Sequence, residues 1–106
     1  MKLKNTSTIC LIDDDLDLLD LLTSFFRQRG YKVLAFNNAE EAMIEIENKR
    51  TEADVVISDL KLPGLSGMDF IKRIKKSYAS LPIILMTAEG SVETAVEAIE
   101  SGAYDF

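Results

Sequence analysis

Asp54-Val55-Val56-Ile57-Ser58-Asp59-Leu60-Lys61-Leu62-Pro63-Gly64-Leu65-Ser66-Gly67 is the stretch on which the fold turns. Its apolar run, Val55 to Ile57, reads as a buried strand, and it delivers one carboxylate, Asp59, at its end, just ahead of a Pro-Gly turn. A strand end is a rigid place to hold a reactive group. What the rest of the chain brings to that carboxylate decides its use.

Upstream, Thr8 to Ile12 is another continuous apolar run, as expected of a strand covered on both faces, and it stops abruptly at Asp13-Asp14-Asp15. From Leu16 the period changes. Leu18, Leu22 and Phe25, with Leu19 and Phe26, fall at helical spacing, Asp15 is placed to cap the first turn, and Gly30 closes the end. Tyr31 to Phe36 reads as a second strand, weaker in apolar content. Ala39, Ala42, Met43 and Ile46 mark the buried stripe of a second helix that ends near Lys49, with Asn37 or Asn38 as its cap.

Downstream of the opening stretch, a helix from Gly67 to Lys76 turns Phe70, Ile71 and Ile74 inward and Lys72, Lys75 and Lys76 outward. Pro82 to Met86 is a fourth buried strand, with Thr87 at its end. Val92, Ala95, Val96 and Ile99 then give the i, i+3, i+4, i+7 pattern of a helix over about residues 91 to 101, and Gly102 stops it. Ala103 to Phe106 looks like the approach to a fifth strand.

With 106 residues, 47% hydrophobic and 28% charged, residues 1–106 suit one small domain with a modest core. A formal net charge of −6 argues against a nucleic-acid-binding surface, whose footprint would be basic. The single cysteine, Cys10, sits inside an apolar run and reads as a small buried hydrophobe, which suits a reducing cytoplasm. Met1 to Lys4 carries basic residues but no apolar region long enough for export or for a membrane span, so a soluble cytoplasmic location is expected.

Strand-helix alternation with short connections calls for an α/β fold, a doubly wound parallel sheet with helices on both faces. Ligands of such sheets bind outside the carboxyl ends of the strands, where strand order reverses. Asp13-Asp14, Asp59 and Thr87 all stand at strand ends. Taken alone, the aspartate run could be a helix start, and Thr87 merely the end of a strand. If the strands of Asp13 and Asp59 are neighbours, however, each carboxylate pair at ~5 Å repels by roughly 3 kcal/mol at an effective dielectric near 20. A hard divalent cation relieves that repulsion, and an oxygen-only pocket suits magnesium, or manganese. With no histidine in the chain, zinc is implausible. The same cation would neutralise incoming phosphoryl oxygens, so Asp59 could act as a nucleophile toward phosphorus, with the Thr87 hydroxyl as a donor on the far side.

Other motifs fit less well. Gly64-Leu65-Ser66-Gly67 lacks the spacing and the lysine of a phosphate-binding loop, and no dinucleotide fingerprint follows the first strand. Asp13, Asp15 and Asp17 begin a calcium-loop rhythm, but Leu18 stands where that loop needs glycine. The stronger rival is a haloacid-dehalogenase-type phosphohydrolase, with Asp13 as nucleophile, Asp15 as acid and Thr87 touching phosphate. It leaves Asp59 idle.

Together these residues resemble the response-regulator receiver domain over nearly the whole chain: Leu11-Ile12-Asp13-Asp14-Asp15, Ser58 to Gly67, and Leu85-Met86-Thr87-Ala88. Any one segment is weak; all three in order are highly specific. The resemblance implies a flavodoxin-like sheet of strand order 2-1-3-4-5, with the fifth strand truncated and the fifth helix absent from this chain. It implies a signalling switch in place of an enzyme, in which a sensor histidine kinase phosphorylates Asp59. Asp14 and Asp59 would bind magnesium directly and Asp13 through water, with the backbone carbonyl of Lys61 as a further ligand. Thr87 would bond the phosphoryl group, and Phe106 falls at the family's rotating aromatic switch. The family's lysine three positions beyond Phe106 lies outside these residues, so the domain is expected to continue past Phe106; a chain ending there should be unstable or pair its open edge with another copy. The segment from Gly90 to Phe106 is most similar to receivers of nitrogen-regulation and dicarboxylate-transport activators, which implies a transcriptional output and allows a homodimer on phosphorylation. Neither nucleic acid nor membrane is expected to touch this domain.

Overall fold

The computed structural model describes residues 7–48, 53–59, 64 and 67–86. In chain order these form β1 (Thr8–Ile12), α1 (Leu16–Gln28), β2 (Lys32–Phe36), α2 (Ala39–Glu47), β3 (Val55–Asp59), α3 (Gly67–Ser77) and β4 (Ile83–Met86). The strands make one parallel sheet of order β2-β1-β3-β4. The order expected for these strands is therefore the one found, and the fifth strand and the helix over 91–101 lie outside the described residues.

Both faces of β1 are closed, which is why its sequence is an unbroken apolar run. Cys10 and Ile12 join Val56, Ile83 and Leu85 against Ala39, Ala42, Met43 and Ile46 of α2 and Phe70, Ile71 and Ile74 of α3. Ile9 and Leu11 look the other way and, with Val33 and Val55, pack under Leu19, Leu22 and Phe26 of α1. At ~25 cal/mol per Å² of apolar area removed from water, these two layers are the main source of the domain's stability.

The helix ends follow their capping residues. Asp15 is the cap of α1, its Oδ1 accepting from the amides of Asp17 and Leu18 at 3.1 Å. Asn38, and not Asn37, caps α2, its Oδ1 accepting the Glu41 amide at 2.8 Å. Gly30, with φ of 92°, takes the left-handed turn after α1 that lets β2 start. The helical spacing read in α1 is found, but not all of its apolar residues are buried. Leu18 and Phe25 share the helical period of the buried residues, yet they are 37% and 44% exposed, because the sheet meets the arc of Leu19, Leu22, Thr23 and Phe26 instead.

Candidate functional site

Strand order reverses at β1: α1, which leads from β1 to β2, packs on one face of the sheet, and α2, which leads from β2 across to β3, packs on the other. The register between β1 and β3 ends with Ile12 opposite Ser58, so the next residue of each chain segment, Asp13 and Asp59, comes level across adjacent parallel strands. Such strands run ~4.8 Å apart. By strand alternation Asp13 shares a face with Ile9 and Leu11, and Asp59 shares a face with Val55, so the two carboxylates lie on the same side of the sheet.

Asp13, Asp14 and Asp59 each offer a carboxylate oxygen, and these atoms all lie within 4.8 Å of one another. Asp13 is only 3% exposed, Asp14 is exposed and Asp59 half-buried. The Asp13 backbone is fixed by its amide, which donates to the Phe36 carbonyl at 3.1 Å and prolongs the β1–β2 ladder. Its side chain is fixed by the Asp15 amide, which donates to Asp13 Oδ1 at 2.9 Å. Burial pushes the Asp13 carboxyl above its usual range, the Asp15 amide pulls it down, and the charges of Asp59, Asp14 and Asp15 push it up again.

At an effective dielectric near 20, a carboxylate pair about 5 Å apart repels by about 3 kcal/mol. Three oxygen donors at this spacing, with one open side toward solvent, fit a hard divalent cation that keeps waters of its own. No imidazole competes, because the chain has no histidine, and burial holds the Cys10 thiol in its protonated form, its pKa pushed up to about 12.

Asp15, the acid of the phosphohydrolase alternative, is spent differently. Its carboxylate holds the first turn of α1 and is not part of the trio. Thr87, Lys61 and Phe106 lie outside the described residues; Thr87 follows Met86, which pairs with Asp59 in the last register position of β3 and β4.

Two details, at Ser58 and at Gly64, left little or no signature in the sequence. Ser58 is fully buried, and its hydroxyl donates to the Asp59 carbonyl at 3.0 Å. Gly64 has φ of 75°, and a Cβ placed there would meet Glu40 Oε2 at 2.9 Å. Only the glycine could be anticipated, from the turn chemistry.

The chain matches the response regulator receiver domain family over residues 9–106, and it belongs to that family. It is 39% identical to the phosphoglycerate transport system transcriptional regulatory protein PgtA of Salmonella typhimurium, over 98% of this chain and 25% of that protein. It is 37% identical to the C4-dicarboxylate transport transcriptional regulatory protein DctD of Rhizobium meliloti, over 93% of this chain and 21% of that protein. Among solved structures, the response regulator receiver domain protein from Clostridium thermocellum superposes with a TM-score of 0.86 at 31% identity, covering 93% of this chain and 79% of that one. The chain thus spans a quarter or less of the length of these curated relatives, which are transcriptional regulators. Among the described residues no helix is long and apolar enough to cross a membrane.

Proposed function

We propose that this receiver domain is a phosphorylation-driven switch whose acceptor is Asp59, the observation behind it being the convergence of Asp13, Asp14 and Asp59 at the ends of β1 and β3. A carboxylate oxygen of Asp59 attacks the phosphorus of the donor. An O–P bond forms, the bond from phosphorus to the donor's leaving atom breaks, and that atom keeps the electron pair and takes up a proton. A sensor histidine kinase is the donor that the family's two-component role supplies.

Asp14 and Asp59 would hold magnesium directly, or manganese in its place, with Asp13 acting through water and the Lys61 carbonyl adding a main-chain ligand. When bound, the cation offsets the mutual repulsion of the carboxylates and of the incoming phosphoryl oxygens. Asp13 is suited to an outer role because its Oδ1 is already engaged by the Asp15 amide. Thr87 would then bond a phosphoryl oxygen, and the Phe106 ring would move into the space it vacates. Phosphorylation in this way biases two conformations by differential contact. The readout passes to chain outside residues 1–106, to a transcriptional output or a second phosphorylated copy, in the cytoplasm. A net charge of −6 supports leaving DNA contact to those other parts.

Acetyl phosphate with magnesium should place on the wild-type chain one acid-stable, alkali-labile phosphoryl group that Asp59→Asn does not acquire. An Asp59→Asn protein that still takes up beryllofluoride with the same spectral changes would end the assignment.

A further inference from the structure

We infer that Ser58 is a positioning residue for the chemistry of Asp59, acting through the main chain that carries the acceptor; this rests on the assignment of Asp59 above. Ser58 is the last residue of β3 that is closed in on both sides, opposite Ile12 in β1 and Leu85 in β4, and none of its surface is exposed. Its neighbours on that face belong to the apolar layer under α2 and α3. A hydroxyl in such a place costs stability unless it is hydrogen-bonded, and an alanine or valine would fill a strand interior without that demand. The hydroxyl is bonded, and to one particular atom: it donates to the carbonyl oxygen of Asp59 at 3.0 Å.

Ser58 and Asp59 project to opposite faces of the sheet. The hydroxyl therefore grips the acceptor's own peptide group from the core side while the carboxylate works on the other. That carbonyl belongs to the last residue of β3, and its carbon is bonded to the Cα that carries the Asp59 side chain, so holding it steadies the base from which the carboxylate projects. Partners that orient a ligand without touching the metal commonly alter metal affinity on the order of ten-fold or more when removed. Ser58 supplies that support from behind the site.

The test compares wild type with Ser58→Ala, Ser58→Cys and Ser58→Thr. Cysteine keeps nearly the shape of serine but is a weak donor, and threonine keeps the hydroxyl. Magnesium alone is titrated by calorimetry, and the rate of labelling by acetyl phosphate is followed, well below each variant's melting temperature. The expected result is a loss of magnesium affinity on the order of ten-fold in the alanine and cysteine variants, with slower labelling and an unchanged circular dichroism spectrum, and near wild-type values for threonine. Wild-type affinity and labelling in both Ser58→Ala and Ser58→Cys overturn the inference, because the hydroxyl is then only a satisfied core group. Should alanine fail to fold, the cysteine variant, one atom from wild type, decides alone. A wild-type chain that takes no phosphoryl group at all defeats the Asp59 assignment itself, which separates that failure from this one.

Discussion

The amide of Asp15 donates to Oδ1 of Asp13 at 2.9 Å, so the residue that starts α1 also aims the most buried carboxylate of the acidic trio. Two neighbouring aspartates of one run are thereby given different work. The Asp15 carboxylate faces its own helix, accepting from Asp17 and Leu18, while its main chain serves Asp13. Helix start and acidic pocket are parts of a single turn, and the three consecutive aspartates are neither redundant nor interchangeable.

That division is testable at Asp15. Removing a capping side chain costs about 1 kcal/mol, whereas the amide that holds Asp13 survives the substitution. Asp15→Ala should therefore lower stability by about that amount in urea denaturation, and Asp59 should still be labelled by acetyl phosphate. Loss of all phosphoryl chemistry in a folded Asp15→Ala protein would favour the phosphohydrolase roles for Asp13 and Asp15.

Asp13 sets the pH response. Its carboxyl is raised from the ordinary 3.8, mainly by burial, with the Asp59 and Asp14 charges adding to the effect. A group raised in the folded state holds its proton more tightly there, so its contribution is fully favourable below the unfolded value and is lost as pH rises through the raised one. Without metal, Asp13→Asn, which keeps an oxygen for the Asp15 amide, should be more stable than wild type at neutral pH. The difference should vanish below pH 3.8. Magnesium should raise the melting temperature of wild type at neutral pH and much less that of the variant. Melting curves with and without magnesium across this range check the claim, and an Asp13→Asn protein no more stable than wild type at neutral pH contradicts it.

Gly64 tests a left-handed backbone position. Its φ of 75° strains any L side chain, and an added Cβ would also lie 2.9 Å from Glu40 Oε2. Gly64→Ala should cost about 1 to 2 kcal/mol. Glu40 Oε2 is the far end of a flexible side chain that can swing aside, so most of the cost is backbone strain and should remain in the Glu40→Ala background. A double-mutant cycle in urea measures both parts, and a Gly64→Ala penalty that vanishes entirely once Glu40 is truncated would show that the backbone angle carries none of it.

The sheet was legible because its central strands, β1 and β3, are covered on both faces. Thr8–Ile12 and Val55–Ile57 announce themselves as apolar runs, and the aspartates that follow them need only the register Ile12 to Ser58 to come together. Periodicity was less informative in α1, where the apolar arc is wider than the strip the sheet covers, and Leu18 and Phe25 fall outside it. Contacts between distant segments left no local trace. Nothing in the letters around Ser58 says which carbonyl its hydroxyl meets, and nothing near Glu40 points to Gly64.

The joint between α2 and α3 shows which of two polar links matters. Tyr78, just after α3, donates its hydroxyl to the Ile46 carbonyl in the last turn of α2 at 3.1 Å, in a half-buried setting where water replaces the lost partner poorly. Arg73 Nε and Glu47 Oε1 are 3.5 Å apart, with side chains 63% and 41% exposed, so solvent screens them. Tyr78→Phe should cost about 1 kcal/mol, and Arg73→Ala about 0.5 kcal/mol or less. Because neither side chain reaches the acidic trio, both variants should be labelled on Asp59 at the wild-type rate. Urea midpoints measured in low and high salt distinguish the two links: the Arg73→Ala effect should fade with salt and the Tyr78→Phe effect should not. If the arginine variant loses more stability than the phenylalanine one, the exposed ion pair holds α2 against α3 and the half-buried hydroxyl does not.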